Sequence, residues 1–149
     1  MIMDFGIRKM QLEDKKEILT MMEEFYSSNA VATNGSNEIF ETDFENCIND
    51  YQYLEGFVFY QNEKILGYAM IAKSFSTEFA KRCIYLEDLF IKKEFRGQGI
   101  ITEFLRYLEN IYVNSIFKLE VDKCNIDAIE IYKKRGFIPL SYIEMKKET

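Results

Sequence analysis

Three apolar, strand-like runs follow one another between Glu55 and Ile91, too close together for a helix to separate them. In the first, Phe57, Val58, Phe59 and Tyr60 lead into a polar turn at residues 61–64. Residues 65–75 form the second run, a polar stretch covers 76–82, and residues 83–91 form the third. Runs rich in β-branched and aromatic residues joined by short polar turns read as hairpins. Parallel neighbours would need a crossover of a dozen or more residues. An antiparallel three-stranded meander is therefore expected at the centre of the fold.

On either side of the meander the pattern turns helical. Residues 5–10 read as a short first strand. A helix is expected to begin near Asp14, with Ile18, Met22 and Phe25 on one face. Residues 27–37 are polar and aperiodic and read as a loop, and a second helix is expected over 41–51, opened by Thr42 and Asp43. After the meander, residues 92–98 are charged. Ile100, Phe104, Leu108 and Ile111 then mark the apolar face of a third helix. Residues 116–121 read as a strand, 125–135 as a helix ended by Gly136, and 137–140 and 142–146 as short strands around Pro139. Strands and helices alternate around one sheet, which gives an α+β or α/β class. With no repeat or linker, residues 1–149 are expected to form one domain.

Composition narrows the chemistry more than the fold. The chain has no histidine. Ser-His-Asp and Cys-His nucleophilic catalysis are excluded, as are the usual histidine-containing zinc sites. Cys47, Cys83 and Cys124 are an odd number with no CxxC spacing, so reduced thiols in the cytoplasm are expected, with no metal. The net charge of −6 disfavours a nucleic-acid partner and mildly favours a cationic one. No apolar run reaches the ~20 residues of a membrane span, and the first nine residues do not read as a signal peptide.

The segment Arg96-Gly97-Gln98-Gly99-Ile100-Ile101-Thr102 follows a strand and opens a helix. Glycines permit a sharp turn and a close backbone approach to a ligand. The first amides of a helix lack internal partners, and the helix dipole favours an anion there, above all a phosphate. The spacing is neither the GxxxxGK[ST] of a P-loop nor the dinucleotide GxGxxG. Further on, Asn125 and Tyr132 are seven apart and share one helix face. Leu86-Glu87-Asp88-Leu89 places two adjacent carboxylates in an apolar strand. Neighbours on a strand point to opposite faces, so one of the two is expected to face inward.

These segments together resemble the GNAT superfamily of N-acetyltransferases. The family pattern is Arg or Gln, two residues, Gly, one residue, then Gly or Ala. Arg96 and Gly99 fill the first and fourth places, and Ile101 stands where Gly or Ala is usual. Residues 125–137, with Asn125, Ala128, Tyr132, Gly136 and Phe137 in register, resemble the family's fourth motif. The resemblance implies a mostly antiparallel sheet of six to seven strands, splayed between the fourth and fifth and flanked by about four helices. It implies that acetyl-CoA is the acetyl donor, with no metal or covalent intermediate.

The same resemblance assigns roles. Gly97, Gln98, Gly99, Ile100, Ile101 and Thr102, with Arg96, would take the pyrophosphate, and the backbone of Leu89, Phe90 and Ile91 would line the pantetheine arm. Asn125 would contact that arm, and Tyr132 would sit beside the sulfur and protonate the leaving thiolate. Tyr85-Leu86-Glu87-Asp88 is especially similar to the diamine (polyamine) acetyltransferase branch, which makes Glu87 the expected base and Asp88 the runner-up. Lys133, Lys134 and Arg135 are either a solvated helix end or holders of a CoA phosphate, and the solvated reading is favoured. Cys124 lies next to Asn125, but no histidine exists to activate it. The expected acceptor is a polyamine or another small cationic amine. A protein or peptide amine and a non-catalytic acyl-CoA sensor are the alternatives, and a homodimer is possible. Acceptor selection is expected in the first two helices and the loop between them.

Overall fold

The computed structural model describes residues 4–49 and 52–149. The expected meander is its centre. Strands β1 (Gly6–Lys9), β2 (Leu54–Gln61), β3 (Lys64–Ser76), β4 (Lys81–Ile91) and β5 (Ser115–Leu119) form one sheet in that order. The first four are mutually antiparallel, and β5 lies parallel to β4. The parallel pairing follows from the crossover through helix α3 (Ile100–Ile111) between those two strands.

Helices α1 (Lys15–Tyr26) and α2 (Asn37–Ile48) cover one face of the sheet, and α3 and α4 (Ile126–Lys134) the other. Alternation along the strands sorts the side chains into two cores. Phe57, Phe59, Ile71 and Ile84 meet Phe104 and Leu108 of α3 on one face. Val58, Tyr68, Met70 and Phe90 meet Ile18, Met22 and Phe44 on the other. A sheet buried on both faces explains why these strands read as nearly continuous apolar runs.

Strand β4 carries two irregularities. Its register against β3 shifts, with Met70 opposite Asp88 but Ile71 opposite Leu86, so Glu87 has no opposite residue. The pairing of β4 with β5 ends at Leu86 and Leu119, while β4 runs on to Ile91. The two strands splay apart there, as expected from the family resemblance.

Five strands are present among the described residues, fewer than the six to seven expected. Residues 137–140 and 142–146 are not strands. Ile138, Leu140, Ile143 and Met145 are exposed, and Pro139 has no amide to donate. Alternating apolar residues become a strand only beside a partner edge. The second helix begins earlier than expected, at Asn37, because Ser36 caps it and accepts from the Ile39 amide at 3.2 Å. The last two residues of the expected 41–51 helix lie outside the described residues.

Candidate active site

A cleft of about 700 Å³ opens where β4 and β5 part. One side is the end of β4, with Leu86, Glu87, Leu89, Phe90 and Ile91. The floor is the turn into α3, with Arg96, Gly97, Gly99, Ile100, Ile101 and Thr102. Asn125, Ala128, Ile131 and Tyr132 of the α4 segment face it across the gap. All the residues expected at the cofactor site line this cleft except Gln98, which lies in the turn but off the cleft surface.

The floor owes its form to two glycines. Gly97 has φ of 75° and Gly99 of 86°, a left-handed conformation that side chains disfavour. A Cβ on either would meet nothing within 4 Å, so the space above both is open. Gly99 is the N-cap of α3 and no side chain caps the helix, leaving its first amides free as donors. Arg96 donates from Nε to the Ile91 carbonyl at 2.8 Å and lies 5.5 Å from the Phe90 ring centre. Its guanidinium is thus braced against β4, and its terminal nitrogens make no hydrogen bond among the described residues and can reach an anion. Ile101 is half-buried against the α3 core, so its bulk is accommodated by packing.

Tyr132 is positioned by the way α4 ends. The Phe137 amide donates to the Tyr132 carbonyl and the Gly136 amide to the Lys133 carbonyl, both at 3.0 Å, with Gly136 at φ 96°. This is a Schellman motif, which brings the residue after the glycine onto the last helical turn. Phe137 accordingly packs edge-on against the Tyr132 ring at 5.7 Å. The Tyr132 hydroxyl has no hydrogen-bond partner among the described residues. Burial pushes its pKa up to about 12, so it is a neutral donor at ordinary pH. Asn125 caps α4, its Oδ1 accepting from the Ala128 amide at 3.4 Å, which leaves its amide nitrogen available to a ligand.

Glu87 and Asp88 have different surroundings. Glu87, on the bulge, lines the cleft and has neither a hydrogen bond nor an ion pair among the described residues. Partial desolvation by the cleft walls raises its pKa. The negative charges of Asp88, Glu120, Asp43 and Glu144 add to the effect. Asp88 is turned away from the cleft and buried. The Tyr26 hydroxyl donates to it at 2.9 Å and that of Tyr68 at 2.8 Å. Burial raises its pKa, opposed by the two tyrosine hydrogen bonds.

Several cleft residues were not assigned to the site by the sequence. Phe25, on the periodic apolar face of α1, and Ser28, Asn29 and Ala30, in the aperiodic stretch just after it, form a wall. Glu120, Asp122 and Asp127 join Glu87 in lining the cleft, against one arginine. Lys133 and Lys134 are exposed and off the cleft, and Arg135 pairs with Glu109. Cys124 lines the cleft and is exposed.

Residues 17–137 match the family model described as the acetyltransferase (GNAT) family. Among similar proteins, the thialysine N-epsilon-acetyltransferase of Sus scrofa is 33% identical over 87 residues, which are 56% of this chain and 51% of that protein. The chain thus spans about half the length of the curated relatives it matches. The crystal structure of a possible acetyltransferase from Clostridium difficile 630 superposes with a TM-score of 0.80 at 17% identity, over 97% of both chains. A predicted acetyltransferase with acetyl-CoA from Clostridium acetobutylicum gives 0.77 at 20%, over 96% of both. At such identities the two structures speak for the fold alone.

Proposed function

We propose that this chain, which belongs to the GNAT acetyltransferase family, is an acetyl-CoA-dependent N-acetyltransferase acting on a small cationic amine, with residues 1–149 as one catalytic domain. The observation that carries this reading is one cleft shared by three features. Among the described residues, Glu87 is an unpaired carboxylate, Tyr132 carries an unpartnered hydroxyl, and the glycine turn leaves the first amides of α3 uncapped by any side chain.

The residues present fit acetyl-CoA. The turn at Gly97 and Gly99, with Arg96, suits a pyrophosphate. Beyond Leu86, β4 has no neighbour on the β5 side among the described residues, so the backbone groups that residues 89–91 turn to that edge, apart from the Ile91 carbonyl taken by Arg96, can meet an amide-bearing arm such as pantetheine. The bound thioester supplies the activated acetyl group, and every other requirement falls to the protein.

Holding the amine beside the carbonyl carbon is chiefly an orientation effect. The wall at Phe25 and residues 28–30, together with the acidic lining, performs it for a cationic acceptor. Glu87 accepts the proton that the nitrogen loses as the C–N bond forms, directly or through one water. Its raised pKa improves it as a base, provided the pH stays above that value. As the C–S bond breaks, the electron pair leaves with sulfur, and the Tyr132 hydroxyl donates a hydrogen bond to it.

The acidic surroundings of Glu87 favour a cationic acceptor, and the name of the thialysine N-epsilon-acetyltransferase relatives supports a small amine. Thiol release from acetyl-CoA with spermidine, spermine, thialysine, lysine and a peptide with a free N-terminus tests the reading. Turnover with the small amines is expected. Activity with the peptide alone would move the acceptor to proteins, and silence throughout with acetyl-CoA still bound would leave a non-catalytic sensor.

A further inference from the structure

We propose that Asp88 is a positioning residue of the transfer: a buried carboxylate whose grip on two tyrosines holds Glu87 and the acceptor-side wall of the cleft in one frame. The proposal rests on the transferase reading for the role of Glu87.

Asp88 is 5% exposed, does not line the cleft, and has both carboxylate oxygens occupied, Oδ1 by Tyr26 and Oδ2 by Tyr68. No lysine or arginine pairs with it among the described residues. A buried carboxylate without a cation is a poor way to stabilise a core, and an apolar side chain beside Tyr68 and Phe90 would suffer less desolvation. The carboxylate does something an apolar residue cannot, which is to bond in two fixed directions at once.

Those directions matter because of where the three residues lie. Asp88 is the first residue back in register after the bulge, opposite Met70. Whatever fixes Asp88 fixes where β4 rejoins the sheet, and so how the unopposed Glu87 is presented. Tyr68 anchors it to β3. Tyr26 is the last residue of α1, and Ser28, Asn29 and Ala30 of the cleft wall lie just beyond it. Phe25 reinforces the junction, its ring 5.7 Å from Phe90 and 6.4 Å from Tyr68. A single hydroxyl–carboxylate contact, between residues 62 apart in sequence, therefore joins the wall that meets the acceptor to the strand that carries the base. Proton acceptors must be held to a fraction of an ångström to be effective, and such a joint provides that constraint.

The charge of Asp88 has a second consequence. It faces Tyr68 from β3, Tyr26 from α1, and Asp43 and Cys47 from α2, and it adjoins Glu87. Glu87 also meets the field of Glu120, Asp43 and Glu144. Removing the Asp88 charge makes Glu87 a stronger acid.

The test compares Tyr26→Phe, Asp88→Asn and Glu87→Gln in the full chain by amide hydrogen exchange and by kcat/KM against pH. Tyr26→Phe and Asp88→Asn are expected to speed exchange at residues 27–36 and 86–90 together, leaving α3 unchanged. Amine kcat/KM should fall about tenfold or more, the loss of one hydrogen bond to a charged group, with acetyl-CoA affinity intact. The acid limb of the profile should persist in both and lie at lower pH in Asp88→Asn. If Asp88→Asn erases that limb while Glu87→Gln keeps it, Asp88 is the base and the proposal is wrong. Unchanged exchange at both segments in both variants overturns it as well. A wild type that acetylates no amine would refute the transferase reading, and exchange would still decide whether the frame exists. Tyr26→Phe keeps the ring and leaves Asp88 its bond to Tyr68, so the test stands if Asp88→Asn does not fold.

Discussion

Replacing Tyr132 with phenylalanine tests the proposed leaving-group assistance with little collateral change. The ring, its contact with Phe137 and the Schellman backbone remain, and no protein group among the described residues loses a hydrogen bond. Stability should change by less than about 0.5 kcal/mol, and acetyl-CoA should bind as before. The size of the rate effect follows from acidity. Burial pushes Tyr132 up to about 12, whereas an ordinary thiol lies near ~8.5. Complete transfer of the proton to the thiolate would be uphill by about 3.5 units, or roughly 5 kcal/mol. Tyr132 is therefore expected to donate a hydrogen bond to developing charge rather than surrender its proton. Such a bond contributes about 1.5–3 kcal/mol, so kcat should fall roughly 10- to 150-fold. Because the hydroxyl stays neutral below about pH 12, no limb of the pH profile between pH 6 and 10 should vanish with it. Thiol release under saturating acetyl-CoA measures kcat, and calorimetry measures affinity. An unchanged kcat would remove Tyr132 from the chemistry. A large loss of affinity or of Tm would make it a structural residue.

Glu87→Gln should depress kcat/KM most on the acid side of neutrality, where the amine arrives protonated, and the deficit should narrow toward the amine's own pKa. An unchanged pH–rate profile would dismiss Glu87 as the base. Gly99→Ala forces a side chain into φ of 86° without a clash, so unfolding in urea should show a loss of about 1–2 kcal/mol. Its Cβ would project into open space above the floor, and acetyl-CoA affinity measured by calorimetry should weaken too. Asp43 is raised to about 6, first by burial and then by the charge of Asp88. For a raised acid, stability is full below the unfolded value near ~3.9 and is lost as pH climbs through 6. Asp43→Asn should therefore be more stable than wild type at pH 8. The gain should be about 1–2 kcal/mol after screening of a half-exposed group, and urea midpoints should converge as pH falls toward 4.

The residues proposed for the site were legible because their signals are local. Gly97 and Gly99 announce a turn, Gly136 announces a helix end, and the seven-residue spacing of Asn125 and Tyr132 announces a shared face. Each depends on backbone geometry over a few residues, which sequence pattern reports directly. Glu87 and Asp88 could be singled out as a pair, but strand alternation did not tell them apart, and only the family resemblance ranked Glu87 first. Which of two neighbours faces the cleft depends on one inserted residue, and that shift exists only when β3 lies alongside. The wall at Phe25 and residues 28–30 lies in the region expected to select the acceptor, but no pattern singled out these residues for the cleft, because the wall's place comes from the docking of α1 against Phe90 and Tyr68.

The sequence alone determined the order of the elements, the antiparallel meander and the amphipathic α3, since these follow from periodicity and from connections too short for any other pairing. It also excluded histidine-based chemistry outright. Tertiary structure decided the rest. Residues 137–146 carry apolar alternation yet form no strand, because a strand needs an edge to pair with. Asp88 withdrew behind Tyr26 and Tyr68 and left Glu87 to the cleft, because a buried carboxylate goes where hydroxyl donors can meet it. Those donors come from α1 and β3, 62 and 20 residues away along the chain, and only folding brings them to one place.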